Sequence, residues 1–179
     1  MSNSEKDLAR QLLAHARRLL RQICLPRITR CLEQLSEDQI WWRANPASNS
    51  VGNLALHLEG NVRQWIISGL GGAADIRVRD REFSEQGPLP RLKVQSQLRM
   101  TVYQACRVLG RMSSQDLMHP YRIQGFRVSG LKAVFHVSEH FSHHTGQIIL
   151  LTKLLTGRNL SFTHLPGDKK KPRRSHPSL

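Results

Sequence analysis

Apolar residues recur at three- and four-residue steps along nearly the whole chain, the spacing of one face of an α-helix. Leu8, Leu12, Leu19, Ile23, Ile28, Cys31, Leu32 and Leu35 predict a first helix over 5–35, and Pro26 within it predicts a kink or the start of a second segment. "SEDQIWWRANPASNS" reads as a connector with a short turn at 36–40. Ser48 or Ser50 caps a second helix that runs to about Ser68, where "GLGG" punctuates the chain. Residues 69–90 read as a long loop holding "RVRDREF" and "GPLP". A third helix follows over 91–111, and a fourth over 129–156 that stops at Gly157. Between them "YRIQGFRV" is the one strand candidate. Four long helices with long crossover connections make the expected fold all-α, a four-helix bundle.

Length and charge refine this picture. A chain of 179 residues is expected to form one domain with a real core. The expected domain covers 1–165. The segment 166–179, "PGDKKKPRRSHPSL", is nearly devoid of apolar residues and reads as a basic disordered tail. Its five Lys or Arg against one Asp supply +4 of the formal +14, leaving +10 spread over the rest. With few aromatics and no RNA-recognition or zinc-finger pattern, the expected contact with nucleic acid is non-specific and made through the tail. Cys24, Cys31 and Cys106 form no CxxC pair, which argues against a disulfide framework or a cysteine zinc site. No stretch has the length of a membrane span, and "ARQLLAHARRLLRQI" reads as the first domain helix rather than a targeting segment. The expected compartment is the cytoplasm.

The candidate chemistry lies in "SEHFSHHTGQI", 138–148, where three histidines interrupt an apolar run. Val134, Val137, Phe141, Ile148, Leu151 and Leu155 define the inward direction of the fourth helix. On a helical wheel His144 falls about 40° and His140 about 80° from it, whereas His136 and His143 lie about 120° and 140° away. His140 and His144 are therefore the inward pair, placed by their i,i+4 spacing to share one ion. A histidine-rich exposed face is the other reading of HxxxH alone. A third candidate comes from the second helix, where His57 sits among Leu54, Leu58, Val62 and Trp65, on a flanking stripe with Asn53, Asn61 and Gln64. Across a bundle the three imidazoles would form a ligand set with open positions, the kind that activates a water or a thiol. Gln147 and Asn61 are the candidate partners for the imidazole N–H groups. Glu59 and Glu139 point elsewhere. In "RVRDREF", Arg79 and Arg81 beside Asp80 and Glu82 read as a loop-pinning salt-bridge set. Trp41, Trp42 and Trp65 read as core or interface residues, Cys106 as core, and Asn49 and Asn53 as braces for the second helix. His15, His119 and His164 have no partner visible in the sequence.

"LALHLEGN" followed by "HFSHHTGQI" resembles the DinB-like superfamily, which also contains bacillithiol- and mycothiol-dependent transferases. "WWRANPASNSVGNLALHLEGNVRQWIISGLGG", "RVRDREF" and "FHVSEHFSHHTGQIILLTKLLTGRNLSF" look like one bacterial branch of it, a domain of unknown function. The resemblance covers roughly 20–162. It implies a DinB-type four-helix bundle, a divalent metal (zinc, nickel or manganese) on His57, His140 and His144, and a homodimer. Many members carry Arg after the second of the fourth-helix histidines, where this chain has Thr145. Three functions fit these features. One is a metal-dependent thiol S-transferase or hydrolase acting on a small molecule, with a low-molecular-weight thiol as a possible co-substrate. The second is a non-catalytic metal-binding stress or sensor bundle, and the third a basic nucleic-acid accessory protein.

Overall fold

The computed structural model describes residues 3–87 and 89–162. Two expectations therefore fall outside the described residues: the tail at 166–179 and the isolated His164.

The first long helix is built in three pieces, α1 (Asn3–Arg18), a π-helical stretch Leu19–Cys24, and α2 (Leu25–Glu33). Proline lacks an N–H, and its ring clashes with the carbonyl four residues earlier in a regular α-helix. The wider π turn lies directly before Pro26, and the Leu25 N–H reaches back five residues to Leu20 O. The chain thus passes the proline without breaking. Its buried stripe is Ala9, Leu13, Ala16, Leu20, Cys24, Ile28, Cys31 and Leu32, with Leu35 buried just past its end. Leu8 is 71% exposed, and Leu12, Leu19 and Ile23 are only partly covered. Leucine doublets at 12–13 and 19–20 cause this difference, because either member satisfies the helical period and packing selects the second.

Helix α3 (Glu37–Trp41) starts at a Ser36 capping box. A second box at Ser50 and Asn53 starts α4 (Val51–Val62), which runs on as a π-helical stretch, Arg63–Leu70. The connection 71–90 is not bare loop, since it contains α5 (Arg79–Ser84). Helix α6 (Arg91–Leu109) and the short α7 (Ser114–Met118) follow. The strand candidate becomes a hairpin, β1 (Pro120–Ile123) against β2 (Phe126–Ser129). Its two-residue turn has Gln124 and Gly125 both at positive φ, 50° and 79°, the geometry that matches strand twist. Helix α8 (Gly130–Thr156) ends where Gly157 turns left-handed.

The fold is all-α, with that hairpin as its only sheet among the described residues. Helix α4 packs against α5, α6 and α8, and α8 also packs against α2. Leu58, Phe141, Ile148 and Ile28 fill the centre and are fully buried. The three cysteines are buried free thiols, Cys106 on the core side of α6. Among the described residues, no helix is long and apolar enough to cross a membrane.

Candidate metal centre

His57 lies midway along α4, while His140 and His144 lie one turn apart on α8, which packs against it. The packing brings the three Nε2 atoms together. His57 Nε2 is 3.0 Å from His140 Nε2, which is 3.2 Å from His144 Nε2. One ligating atom from each of the three can be chosen so that all lie within 4.8 Å of one another. An ion bound tetrahedrally at about 2.0–2.1 Å from each nitrogen sets its ligands about 3.3 Å apart, so the observed spacing is close to the required one.

The hydrogen bonds on the far side of the rings decide what this cluster is. His57 Nδ1 is 2.8 Å from Glu82 Oε2, and His144 Nδ1 is 2.6 Å from Gln147 Oε1. Both oxygens are acceptors, so both Nδ1 atoms carry protons and both Nε2 atoms present lone pairs. Both lone pairs face His140 Nε2, which can donate at most one proton between them. Three nitrogens arranged this way suit a cation, and the donor set fits a divalent metal ion.

Electrostatics agree. Burial pushes the His140 pKa down to about 3, with the neighbouring His144, His57 and His136 adding to the effect. Burial also lowers His144, against the opposing hydrogen bond that its Nδ1 donates to Gln147. Both rings are therefore neutral near pH 7, the protonation state that ligates a metal.

Glu82 was not foreseen as part of the site. It comes from α5 and is 8% exposed. Arg77 grips it with Nε 2.7 Å from Oε1 and Nη2 2.8 Å from Oε2, a bidentate pair. Burial pushes the Glu82 carboxyl up, but hydrogen bonds from Arg77 and His57 outweigh it and hold the group below its ordinary range. Arg77 in turn donates to Gln64 Oε1 at 2.8 Å, and Gln64 donates to Asp75 at 2.7 Å. Glu82 thus pairs with Arg77 rather than with Arg79 or Arg81, the arginines expected to pin this loop, and is aimed inward at a histidine. Arg79 instead lies over the Phe83 ring at 4.9 Å, and Phe83 packs on His57 at 4.7 Å.

Helix α4 is shaped to receive the carboxylate. Gly60, one turn beyond His57, has no Cβ, and a Cβ there would collide with Glu82 Oε1. Asn53 holds the segment from the other end, donating to Glu82 O at 2.9 Å and Glu85 O at 2.8 Å. A glycine on the histidine side of a helix, three positions on, was the one sequence signal for a close neighbour there.

The remaining candidates divide. Gln147 contacts His144 as expected. The hydrogen bond of Asn61 goes to His136 rather than to a triad histidine, its Nδ2 lying 3.2 Å from His136 Nε2. His136, which the wheel turned toward solvent or another subunit, is half-buried against Trp65 of its own chain, with ring centroids 3.9 Å apart. His143 is exposed. Glu59 bonds Arg63 and Thr101, away from the cluster. A 660 Å³ cavity bordered by Arg10, Leu13, Arg17 and Gly110, and a 520 Å³ groove bordered by Leu12, His15, Phe135 and His143, contain none of the three triad histidines.

The family model described as "Protein of unknown function (DUF1572)" matches residues 7–169. No curated protein matches the chain. Among solved structures it is similar to a DinB-like protein from Bacillus cereus ATCC 10987. That match has 17% sequence identity and a TM-score of 0.58, and it covers 75% of this chain and 87% of the other. The likeness extends to the fold: a DinB-like helical bundle.

Proposed function

The chain belongs to the DUF1572 family and has a DinB-like fold, and on that premise we propose that it is a divalent-metal-dependent enzyme, a thiol S-transferase or hydrolase. One observation carries the reading: three imidazoles converge through Nε2 while the Nδ1 atoms of two are tied to acceptors behind them.

His57, His140 and His144 would hold the ion, with Glu82 and Gln147 behind two of them. A divalent ion there supplies a Lewis acid that lowers the pKa of a neighbouring thiol or water. The protein's own residues do the rest. Glu82, kept anionic by Arg77, holds the proton on His57 Nδ1 and so keeps Nε2 available. Gln147 fixes His144 in the same tautomer. Phe83 packs against His57 on one side of the site, and His140 and His144 are half-buried. Leu150 and Leu154, 58% and 69% exposed on α8, support the homodimer implied by the family resemblance.

Elemental analysis should give about one divalent ion per chain in the wild type and in His143→Ala, and none in His57→Ala, His140→Ala or His144→Ala. The metal-loaded protein should then transfer a low-molecular-weight thiol to an electrophile, or hydrolyse a test ester, faster than the metal-free form. Equal rates for the two forms across such a panel would leave a non-catalytic metal-binding bundle. Full metal retention by His144→Ala would end both readings.

A further inference from the structure

Among the described residues, three buried side-chain atoms lack a protein hydrogen-bond partner: Asn61 Oδ1, Trp65 Nε1 and His140 Nδ1. They are not scattered. All three side chains border His136, whose Nε2 is 3.2 Å from Asn61 Nδ2. Its ring lies 3.9 Å from that of Trp65 and 5.5 Å from that of His140, centroid to centroid. Asn61 and Trp65 are one turn apart on the second long helix, and His136 and His140 are one turn apart on α8. The three side chains therefore share one neighbour, between these two helices and beside a triad histidine.

The three atom types are complementary to one small molecule. An indole N–H can only donate, and an amide oxygen can only accept. His140 Nδ1 carries the ring proton when its Nε2 supplies a lone pair to an ion, so it also donates. Two donors and one acceptor match a single water, which has two lone pairs and hydrogens to give. Reversing the Asn61 amide would place three donors there, one more than a water's lone pairs can take. Asn61 and Trp65 are 4% and 5% exposed, so bulk solvent does not satisfy them. An unpaired group in such a place costs about 1–3 kcal/mol.

We propose that one buried water bridges Trp65 Nε1, His140 Nδ1 and Asn61 Oδ1, and that Asn61 is thereby the positioning residue for His140. The inference rests on the triad being a metal site. It gives each of the three histidines its own polar anchor: a carboxylate for His57, an amide for His144, and a water held by an amide for His140. Asn61 would then act on the ion without bonding a histidine ligand, through His140 Nδ1, the ring nitrogen that has no hydrogen-bond partner in the protein.

The test uses the full-length protein with zinc as the probe, combining a high-resolution crystal structure with zinc titrations of the wild type, Asn61→Leu and Trp65→Phe. The expected structure has a water within hydrogen-bond distance of all three atoms. Asn61→Leu should bind zinc about 10–100-fold more weakly, the usual effect of losing a ligand's outer partner. Its metal-free melting temperature should fall modestly, by less than the lost zinc affinity requires, because His136 Nε2 loses the amide beside it. Trp65→Phe, which leaves Asn61 in place, should weaken zinc binding less. An ordered site without that water, or unchanged zinc affinity in Asn61→Leu, overturns the proposal. A fall in metal-free stability that accounts for the lost affinity also overturns it, because Asn61 would then be structural only. If the wild type takes up no zinc, the triad reading fails first. The metal-free crystal then decides the water alone, its presence sustaining the bridge and its absence removing it.

Discussion

Two carboxylate–arginine pairs flank α4. On one side Glu59 and Arg63, 2.8 Å apart with side chains 20% and 30% exposed, close a triangle with Thr101 of α6. On the other, Glu82 and Arg77, 2.7 Å apart and 9% and 2% exposed, close on His57. The charges are the same. Burial differs, and so does the third member. A threonine hydroxyl ends its hydrogen-bond chain, so Glu59 and Arg63 fasten α4 to α6 and do nothing more. An imidazole has a second nitrogen, so the Glu82 carboxylate is felt at Nε2 on the other side of the ring. What a salt bridge does for chemistry is decided by the group it feeds.

The sharpest way to break this comparison is to remove one acid at a time. Glu82→Ala leaves the Arg77 guanidinium buried without its partner, and the expected loss of stability is about 3–5 kcal/mol by denaturant unfolding. Glu59→Ala should cost about 0–1 kcal/mol. Equal losses would mean that burial does not separate the two pairs.

Gly60→Ala tests the same side without removing a charge. The added methyl would push Glu82 away from α4, so the variant should lose metal affinity along with stability. An alanine that is tolerated, with metal affinity intact, would show that Glu82 need not sit so close.

Glu82→Gln is gentler, since it keeps the shape and removes the charge. Metal affinity should fall about 10–100-fold, measured by competition with a chelator, whereas Glu59→Gln should leave it unchanged.

Acid should act selectively on the histidine side. His136, His140 and His144 all have lowered pKa values, each first through burial, and His140 falls to about 3. A group whose folded pKa is depressed contributes stability that is present above its unfolded pKa and lost as pH falls. Metal-free stability should therefore begin to drop below about pH 6.5, the unfolded histidine value, and continue toward pH 3. Glu82 is also lowered, so its contribution should fade only below about pH 4.3. The smallest effect should be the control: Glu59→Gln should leave this profile unaltered in shape.

The periodic part of the molecule was readable. Four apolar stripes gave four helices, and the i,i+4 pair on α8 with one histidine on α4 was enough to identify three side chains that meet. Periodicity breaks ties poorly, however. It chose Leu12 over Leu13, and it turned His136 outward when Trp65 offers its ring a flat partner. It says nothing where there is no period. Glu82 and Arg77 lie in a segment with only six helical residues, and no wheel can aim them. Their position is set by Asn53, by Arg43 donating to Phe83 O and Glu85 O, and by the missing Cβ of Gly60. Those are contacts between distant parts of the chain, visible only once it is folded.

That anchoring divides the connection between the second and third helices into two stretches with opposite tolerance for added length. Gly71, Gly72, Ala73 and Ala74 are exposed, and at 72 a Cβ would meet nothing within 4 Å. A tag or a guest domain spliced in there costs at most the hydrogen bonds that Gly71, Gly72 and Ala73 N–H make back to the preceding helix, plus a slowly growing entropy of closure. Between Arg77 and Glu85, a single extra residue would shift every tether by one position and carry the carboxylate off its histidine. A surface connection, ordinarily where a protein accepts insertions most freely, is here fixed in length on one half by what it holds inside.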